Sequence, residues 1–192
     1  MSELAAIITA AGASSRMDDY GHKALLDWQG RPLVAHQVET LTEVGFARIV
    51  VVTGAESEAV ADATPDQATL VHNGRWETGR SSSIRVGAEA LSEGPDAVLV
   101  VAVDQPLSVR VVEKLLPQAG APVVQPVDEQ NRPGHPVVLG GEQVGALRNI
   151  EKQPEGLRSL VRGLRPEGTL IPVENLSDWD LNTPRDYRAA LA

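Results

Sequence analysis

Residues 7–17 read Ile-Ile-Thr-Ala-Ala-Gly-Ala-Ser-Ser-Arg-Met, and Lys23 follows shortly afterwards. The apolar start predicts a buried strand, and the small residues after it predict a loop whose backbone N–H groups can approach an anion. Arg16 and Lys23 would place two positive charges beside that loop. Because the stretch matches neither the dinucleotide fingerprint nor the P-loop, it indicates either a phosphate-binding loop or an ordinary turn of small residues.

Further apolar runs alternate with helical patterns along the chain. The predicted strands lie at 4–9, 48–53, 69–72, 96–103, 122–126, 137–139 and 170–173. Helical patterns cover 32–44, 57–63, 81–91, 109–118, 141–149 and 155–162, and a last helix begins at Pro184. This alternation predicts an α/β protein, here a single domain over residues 1–192 with three α/β/α layers around a mostly parallel, Rossmann-like sheet.

Composition and charge narrow the classes of partner. The chain has 192 residues and a formal net charge of −9, so we expect neither nucleic acid nor an anionic membrane surface as a partner. No apolar run approaches the roughly 20 residues that cross a bilayer. The opening residues carry no cationic leader, so we expect a cytoplasmic protein. The absence of cysteine excludes a thiolate nucleophile.

Polar residues follow two of the other predicted strands. Asn73 and Gly79 come after strand 69–72 and lead into three serines at 81–83, which either cap the next helix or face a ligand. Asp104 ends the most hydrophobic strand, at the position where open α/β sheets bind ligands. Its carboxylate would hold a metal ion or cap the helix that follows.

The tail adds two further oxygen donors, Asp180 and Asn182. Cations together with acidic oxygens at strand ends describe a site for a complex of Mg²⁺ with a triphosphate. Arg80 is interpreted either as a solvated helix charge or as a group that reaches a phosphate. Residues 142–165 carry mixed charges and are interpreted as a solvated helical face.

Four segments, in order, resemble the molybdenum cofactor nucleotidyltransferase family. They are residues 8–17 with Lys23, Asp-Gln-Pro at 104–106, Pro-Gly-His-Pro at 133–136 and Asp-Leu-Asn-Thr-Pro-Arg-Asp-Tyr at 180–187. The cytidylyltransferase branch is the most similar, because guanylyl members usually have Ala-Gly-Gly where this chain has Ala-Ala-Gly at 10–12. The resemblance implies the fold of the nucleotide-diphospho-sugar transferases. It also implies a Mg²⁺-dependent enzyme that moves CMP from CTP to molybdopterin, releases pyrophosphate and serves a recipient molybdoenzyme.

The resemblance also implies roles for individual residues. The nucleotide-binding positions of the family correspond here to Ala10, Ala11, Gly12, Arg16, Lys23, Asn73, Gly79 and Ser83. Catalysis would rest on Arg16, Lys23 and Asp104. Asp104 and Asn182 would hold the metal, with Asp180 as an alternative ligand. The pterin would lie against Gly134, His135 and Pro136.

The chain departs from the family pattern in two places. Residues 18–20, Asp-Asp-Tyr, lengthen the first loop and add carboxylates near the expected phosphates, which would weaken anion binding. Asn182 stands where many cytidylyl members have Asp and offers an oxygen without a charge. Four alternatives stay open: GTP as the donor, a sugar or alcohol phosphate as the acceptor, a diverged oxidoreductase, and a non-catalytic carrier of molybdenum cofactor.

Overall fold

A seven-stranded sheet forms the centre of the protein. The computed structural model describes residues 3–17, 20–91, 94–174, 176 and 180–192. The strands of the sheet are β1 (Leu4–Ala10), β4 (Arg48–Thr53), β5 (Ala68–His72), β6 (Ala97–Ala102), β7 (Val123–Val127), β8 (Val137–Gly140) and β9 (Thr169–Pro172). Their order across the sheet is β5-β4-β1-β6-β8-β7-β9. Strands β2 (Asp27–Trp28) and β3 (Arg31–Pro32) form a separate small hairpin.

The sheet is mostly parallel, as the sequence predicts. Strand β1 pairs in parallel with β4 on one side and with β6 on the other. Strand β8 runs antiparallel to both β6 and β7, while β7 and β9 are parallel. The chain passes from β1 outward to β4 and β5 and then returns to β6, so the boundary between β1 and β6 is a topological switch point.

Helices cover both faces of this sheet. They are α1 (Leu33–Glu43), α2 (Ser57–Asp62), α3 (Arg80–Ala90), α4 (Val109–Leu115), α5 (Val144–Arg148), α6 (Leu157–Leu164) and α7 (Pro184–Ala190). Side chains of α1, α2 and α4 pack with Ile8 on one face, and those of α3, α5 and α6 pack with Ile7 on the other. Successive strand residues point to opposite faces, which explains why the continuous apolar run of β1 is buried on both sides.

Most element boundaries agree with the sequence pattern to within two or three residues, and the exceptions have local causes. The predicted helices 109–118 and 141–149 contain 3-10 turns, at Leu116–Gln118 and Gly141–Gln143. Pro117 lies within the first of these turns and cannot donate a helical hydrogen bond. No helix within the described part of the chain is long and apolar enough to cross a membrane.

Candidate active site

The loop after β1 presents its backbone amides at the switch point. Within the described chain, the N–H groups of residues 12–16 donate to no protein atom. Ser14 has a φ of +55°, in the left-handed region, which reverses the direction of the loop. Met17 is fully buried and anchors the end of the loop against Leu181 and Tyr187. Consecutive free amides on such a turn form a concave surface that attracts anions.

Lys23 lies at the centre of the site. Its backbone N–H donates to Ser14 Oγ at 2.9 Å, which ties it to the loop. Its Nζ donates to Asp104 Oδ2 at 2.7 Å and to Asn182 Oδ1 at 3.0 Å. Arg16 Nη2 donates to the same Asn182 oxygen at 3.2 Å. Two oxygens from distant parts of the chain therefore converge on one cation.

Asp104 is held by a network around the end of β6. The buried amide of Gln37, from α1, lies within hydrogen-bond distance of the carbonyls of Ala102, Val103 and Gln105, at 3.2, 2.9 and 3.0 Å. Asp104 itself is 7% exposed, and its Oδ1 is buried without a hydrogen-bond partner among the described residues. Ser108, not Asp104, occupies the N-cap position of α4. The capping alternative for Asp104 is therefore wrong.

The tail is fixed beside Asp104 by backbone and capping contacts. Leu181 N–H donates to the Asp104 carbonyl at 2.9 Å, and the Leu181 side chain is fully buried. Thr183 and Asp186 form a reciprocal capping box at the start of α7. Asp180 Oδ1 instead accepts from Gln105 Nε2 at 2.8 Å. Asn182, rather than Asp180, thus faces the cation.

The serines at 81–83 do not cap α3, contrary to one of the two interpretations. Gly79 is the N-cap residue, with φ +114° and ψ 174°, and no side chain caps this end. Asn73 is buried, and its Nδ2 donates to Ser82 Oγ at 2.9 Å and to Ser83 Oγ at 3.0 Å. Asn73 therefore joins the end of β5 to the first turn of α3.

A cavity of about 300 Å³ lies between the β1 loop and the start of α3. Of the predicted site residues, it is lined by Ala10, Ala11, Gly12, Arg16, Lys23, Gly79, Ser83 and Asp104. Asn73 lies behind this lining. Gly134 and His135 line a neighbouring cleft, and Pro136 lines a third groove that also touches His135. Residues 18 and 19 of the lengthened loop lie outside the described residues.

His22 also lines the cavity, although no sequence signal indicated it. Its Nδ1 accepts from Ala24 N at 3.2 Å, and its Nε2 is buried without a hydrogen-bond partner among the described residues. Burial lowers the pKa of His22, and the charge of Lys23 lowers it further. The backbone of Gly12 and the charge of Glu56 raise this pKa but do not outweigh burial. A neutral imidazole therefore faces the loop.

The donor set suits a hard divalent ion that is shared with phosphates. Within the described part of the chain, no group of three His, Cys, Asp or Glu side chains could hold a metal alone. Asp104 and Asn182 supply two oxygens directed at a single point, which Lys23 Nζ occupies here. Mg²⁺ commonly takes only one or two protein oxygens and completes its shell with substrate phosphates and water.

Several positioning residues were missed by the sequence reasoning. Gln37 occupies the apolar face of α1, four residues from both Leu33 and Leu41, and a buried amide at such a position signals a hydrogen-bonding role. Gln105 extends the same network. Arg158, Arg162 and Arg165 are exposed, as the interpretation of residues 142–165 as a solvated face expects, and they also line the neighbouring cleft.

The fold and the cavity define an α/β protein of the nucleotidyltransferase type. The model of the MobA-like NTP transferase domain matches residues 6–169, and the chain belongs to that family. Nicotine blue oxidoreductase from Paenarthrobacter nicotinovorans is a relative with 33% identity over 165 residues, which span 81% of this chain and 80% of that protein.

Two solved structures show the same fold. The protein Rv0371c from Mycobacterium tuberculosis H37Rv gives a TM-score of 0.85 at 20% identity and covers 99% of this chain and 98% of its own. A nucleotidyl transferase from Methanothermobacter thermautotrophicus gives a TM-score of 0.78 at 24% identity. That alignment covers 98% of this chain and 95% of the transferase. These likenesses establish the nucleotidyltransferase fold that the sequence predicts.

Proposed function

We propose that this protein is a cytoplasmic enzyme that transfers CMP from CTP to the phosphate of molybdopterin and releases pyrophosphate. One observation carries the proposal: the loop after β1, Arg16, Lys23 and Asp104 line one cavity at the switch point, and Asn182 accepts hydrogen bonds from Arg16 and Lys23 beside it. Had these groups lain on separate faces, a transferase site would have had no physical basis. The site supplies anion donors and metal ligands together, which nucleotidyl transfer requires.

The protein's own residues act by binding and charge neutralisation. The loop amides and Arg16 would hold the triphosphate, and Lys23 would follow the negative charge that develops on the departing pyrophosphate. An oxygen of the acceptor phosphate forms the new bond to the α-phosphorus. The bond from that phosphorus to the oxygen bridging to the β-phosphate breaks, and its electrons leave with pyrophosphate. No protein nucleophile is needed.

Asp104 and Asn182 would hold Mg²⁺, because their oxygens converge and Asp104 Oδ1 lacks a partner in the described chain. The ion would neutralise phosphate charge and help to align the triphosphate. In this structure Lys23 satisfies the two oxygens, so its ammonium must shift toward phosphate as the ion enters.

Calorimetry and product analysis test the proposal. We expect CTP with Mg²⁺ to bind and, with molybdenum cofactor present, to release pyrophosphate. The Asp104→Ala variant should lose turnover while remaining folded. The matched control, Asp66→Ala, removes an exposed carboxylate from the turn before β5, at the opposite edge of the sheet, and should keep turnover. Unchanged turnover in Asp104→Ala, or pyrophosphate release with GTP alone, would contradict the proposal.

The choice of base is tested at Ala11. Ala11 lines the cavity, and its carbonyl accepts from Ala55 N at 3.0 Å, which fixes this part of the loop. We propose that the methyl group disfavours the larger guanine base. Ala11→Gly should therefore raise the use of GTP relative to CTP, and an unchanged ratio would remove Ala11 from base selection.

A second candidate follows from the 33% identity to an enzyme named nicotine blue oxidoreductase. An oxidoreductase on this fold would use the same cavity for a nucleotide cofactor and the neighbouring cleft for a heteroaromatic substrate. Incubation with NADH and a quinonoid heteroaromatic dye distinguishes the two. Dye reduction with loss of NADH absorbance, and no binding of CTP, would favour the oxidoreductase.

A further inference from the structure

A second cleft, with a volume of about 490 Å³, lies beside the nucleotide cavity and shares Arg80 with it. Ile84, Val137 and Val161 contribute an apolar floor, and each is at most 4% exposed. Gly134 and His135 form part of its wall. The floor of the cleft is therefore apolar at the point where an acceptor would meet the nucleotide.

Positive charge surrounds this floor. Arg80, Arg158, Arg162 and Arg165 line the cleft, while Glu155 is the single carboxylate among the described lining residues. Glu155 Oε2 lies 2.9 Å from Arg162 Nη2, so that pair is already neutralised. Three arginines remain uncompensated in a chain whose net charge is −9.

The partners of these three arginines are neutral or lacking. Arg165 Nη2 donates to Gln125 Oε1 at 3.1 Å, and Gln125 Nε2 in turn donates to the Gly134 carbonyl at 3.3 Å. Arg165 is thus positioned without being neutralised. The side chains of Arg80 and Arg158 make no hydrogen bond or ion pair with any residue that the structure describes. Guanidinium groups in this state favour carboxylate or phosphate ligands, which they bind in a bidentate manner.

We propose that the acceptor carries a second anionic group, separated from the phosphate that reacts. The reacting phosphate lies at Arg80, where the two cavities meet. The second anionic group lies at Arg158 and Arg165. This inference rests on the proposed transferase function, because it takes the second cleft as the acceptor site.

Binding of two simple probes to the full-length protein tests the inference. Phenyl phosphate has one anionic group on a flat ring, and 4-carboxyphenyl phosphate adds a carboxylate at the opposite end. We expect the second probe to bind the wild type about tenfold more tightly, since one charge-assisted pair of hydrogen bonds is worth roughly that factor. The variant with both Arg158→Gln and Arg165→Gln should bind the two probes equally.

Arg162→Gln is the matched control. Arg162 lies on the same helix as Arg158, but its charge is already paired with Glu155. This variant should keep the tenfold preference. Equal binding of the two probes to the wild type, or binding of neither, would overturn the inference. If Arg162→Gln lost the preference for the second probe as fully as the double variant does, the inference would also be overturned. The general positive potential of the cleft, rather than contacts with Arg158 and Arg165, would then explain the binding.

Titration with CTP and Mg²⁺ separates this inference from the proposed function. The double variant should bind CTP as the wild type does, because its substitutions lie outside the nucleotide cavity. Failure of CTP to bind the wild type, with the probe preference intact, would refute the transferase proposal. The two-anion character of the cleft would survive that result.

Discussion

Replacing Lys23 by Met should destabilise the protein, because the buried carboxylate of Asp104 would lose its positively charged partner. The Lys23 Nζ to Asp104 Oδ2 distance is 2.7 Å, and both side chains are only 11% exposed. At an effective dielectric constant of about 20, the attraction at this distance is roughly 6 kcal/mol, much of which offsets the desolvation of the two charges. The pair itself therefore contributes little net stability.

Removing the lysine alone has a larger effect, because Asp104 Oδ1 already lacks a partner in the described chain and Oδ2 would lose its own. An uncompensated buried charge costs about 3–5 kcal/mol. For a chain of this size, that corresponds to a fall in melting temperature of roughly 10 °C. Thermal and urea unfolding of wild type and variant measure the loss directly.

A double-mutant cycle identifies the cause. Combining Lys23→Met with Asp104→Asn removes the stranded charge and should recover a large part of the lost stability. Lys152→Met, which removes an exposed lysine that bonds Asn149, should change the free energy of unfolding by less than about 0.5 kcal/mol. A Lys23→Met protein as stable as the wild type would refute the reasoning.

Two further predictions concern the surroundings of the site. The folded chain disfavours the charged form of His22, so stability should fall as pH drops below about 6.5, where the unfolded chain takes up the proton. His22→Asn should flatten urea midpoints between pH 7 and 5, whereas an identical slope would contradict this account. Gly87→Ala in α3 would place a Cβ 2.5 Å from Ile7 Cγ2 and should cost roughly 1–3 kcal/mol of stability. Gly163→Ala in α6 meets open space and should instead add about 0.5–1 kcal/mol, and thermal melts in which both variants shift alike would show that packing is not the cause.

Most of the secondary structure could be predicted because its signals are local. The apolar runs at Ile7–Ile8 and at 98–101 indicate buried strands whatever their neighbours are. The order of the strands depends on contacts between distant residues and left no local signal. The reversed direction of β8 is one example, since four apolar residues have the same pattern in either direction.

The residues of the candidate site could be predicted better than the hydrogen bonds and ion pairs among them. The turn after a buried strand indicated Asp104, yet the single cation shared by Asp104 and Asn182 depends on a contact across 159 residues of chain. The arginines at 158, 162 and 165 were missed for a similar reason. Their spacing places them close together along α6 and the turn after it, but only the fold shows that this segment borders a cleft.

Strand β8 also has a consequence for how such a protein can diversify. Because β8 runs against β6 and β7, its amino end reaches the edge where β1 and β6 finish, and the connection at 128–136 arrives there without a crossover helix. The segment proposed to contact the acceptor thus lies in a short hairpin connection, separate from the loop after β1 that would bind the nucleotide. Substitutions in the 128–136 connection could change the acceptor while the nucleotide-binding loop stays the same.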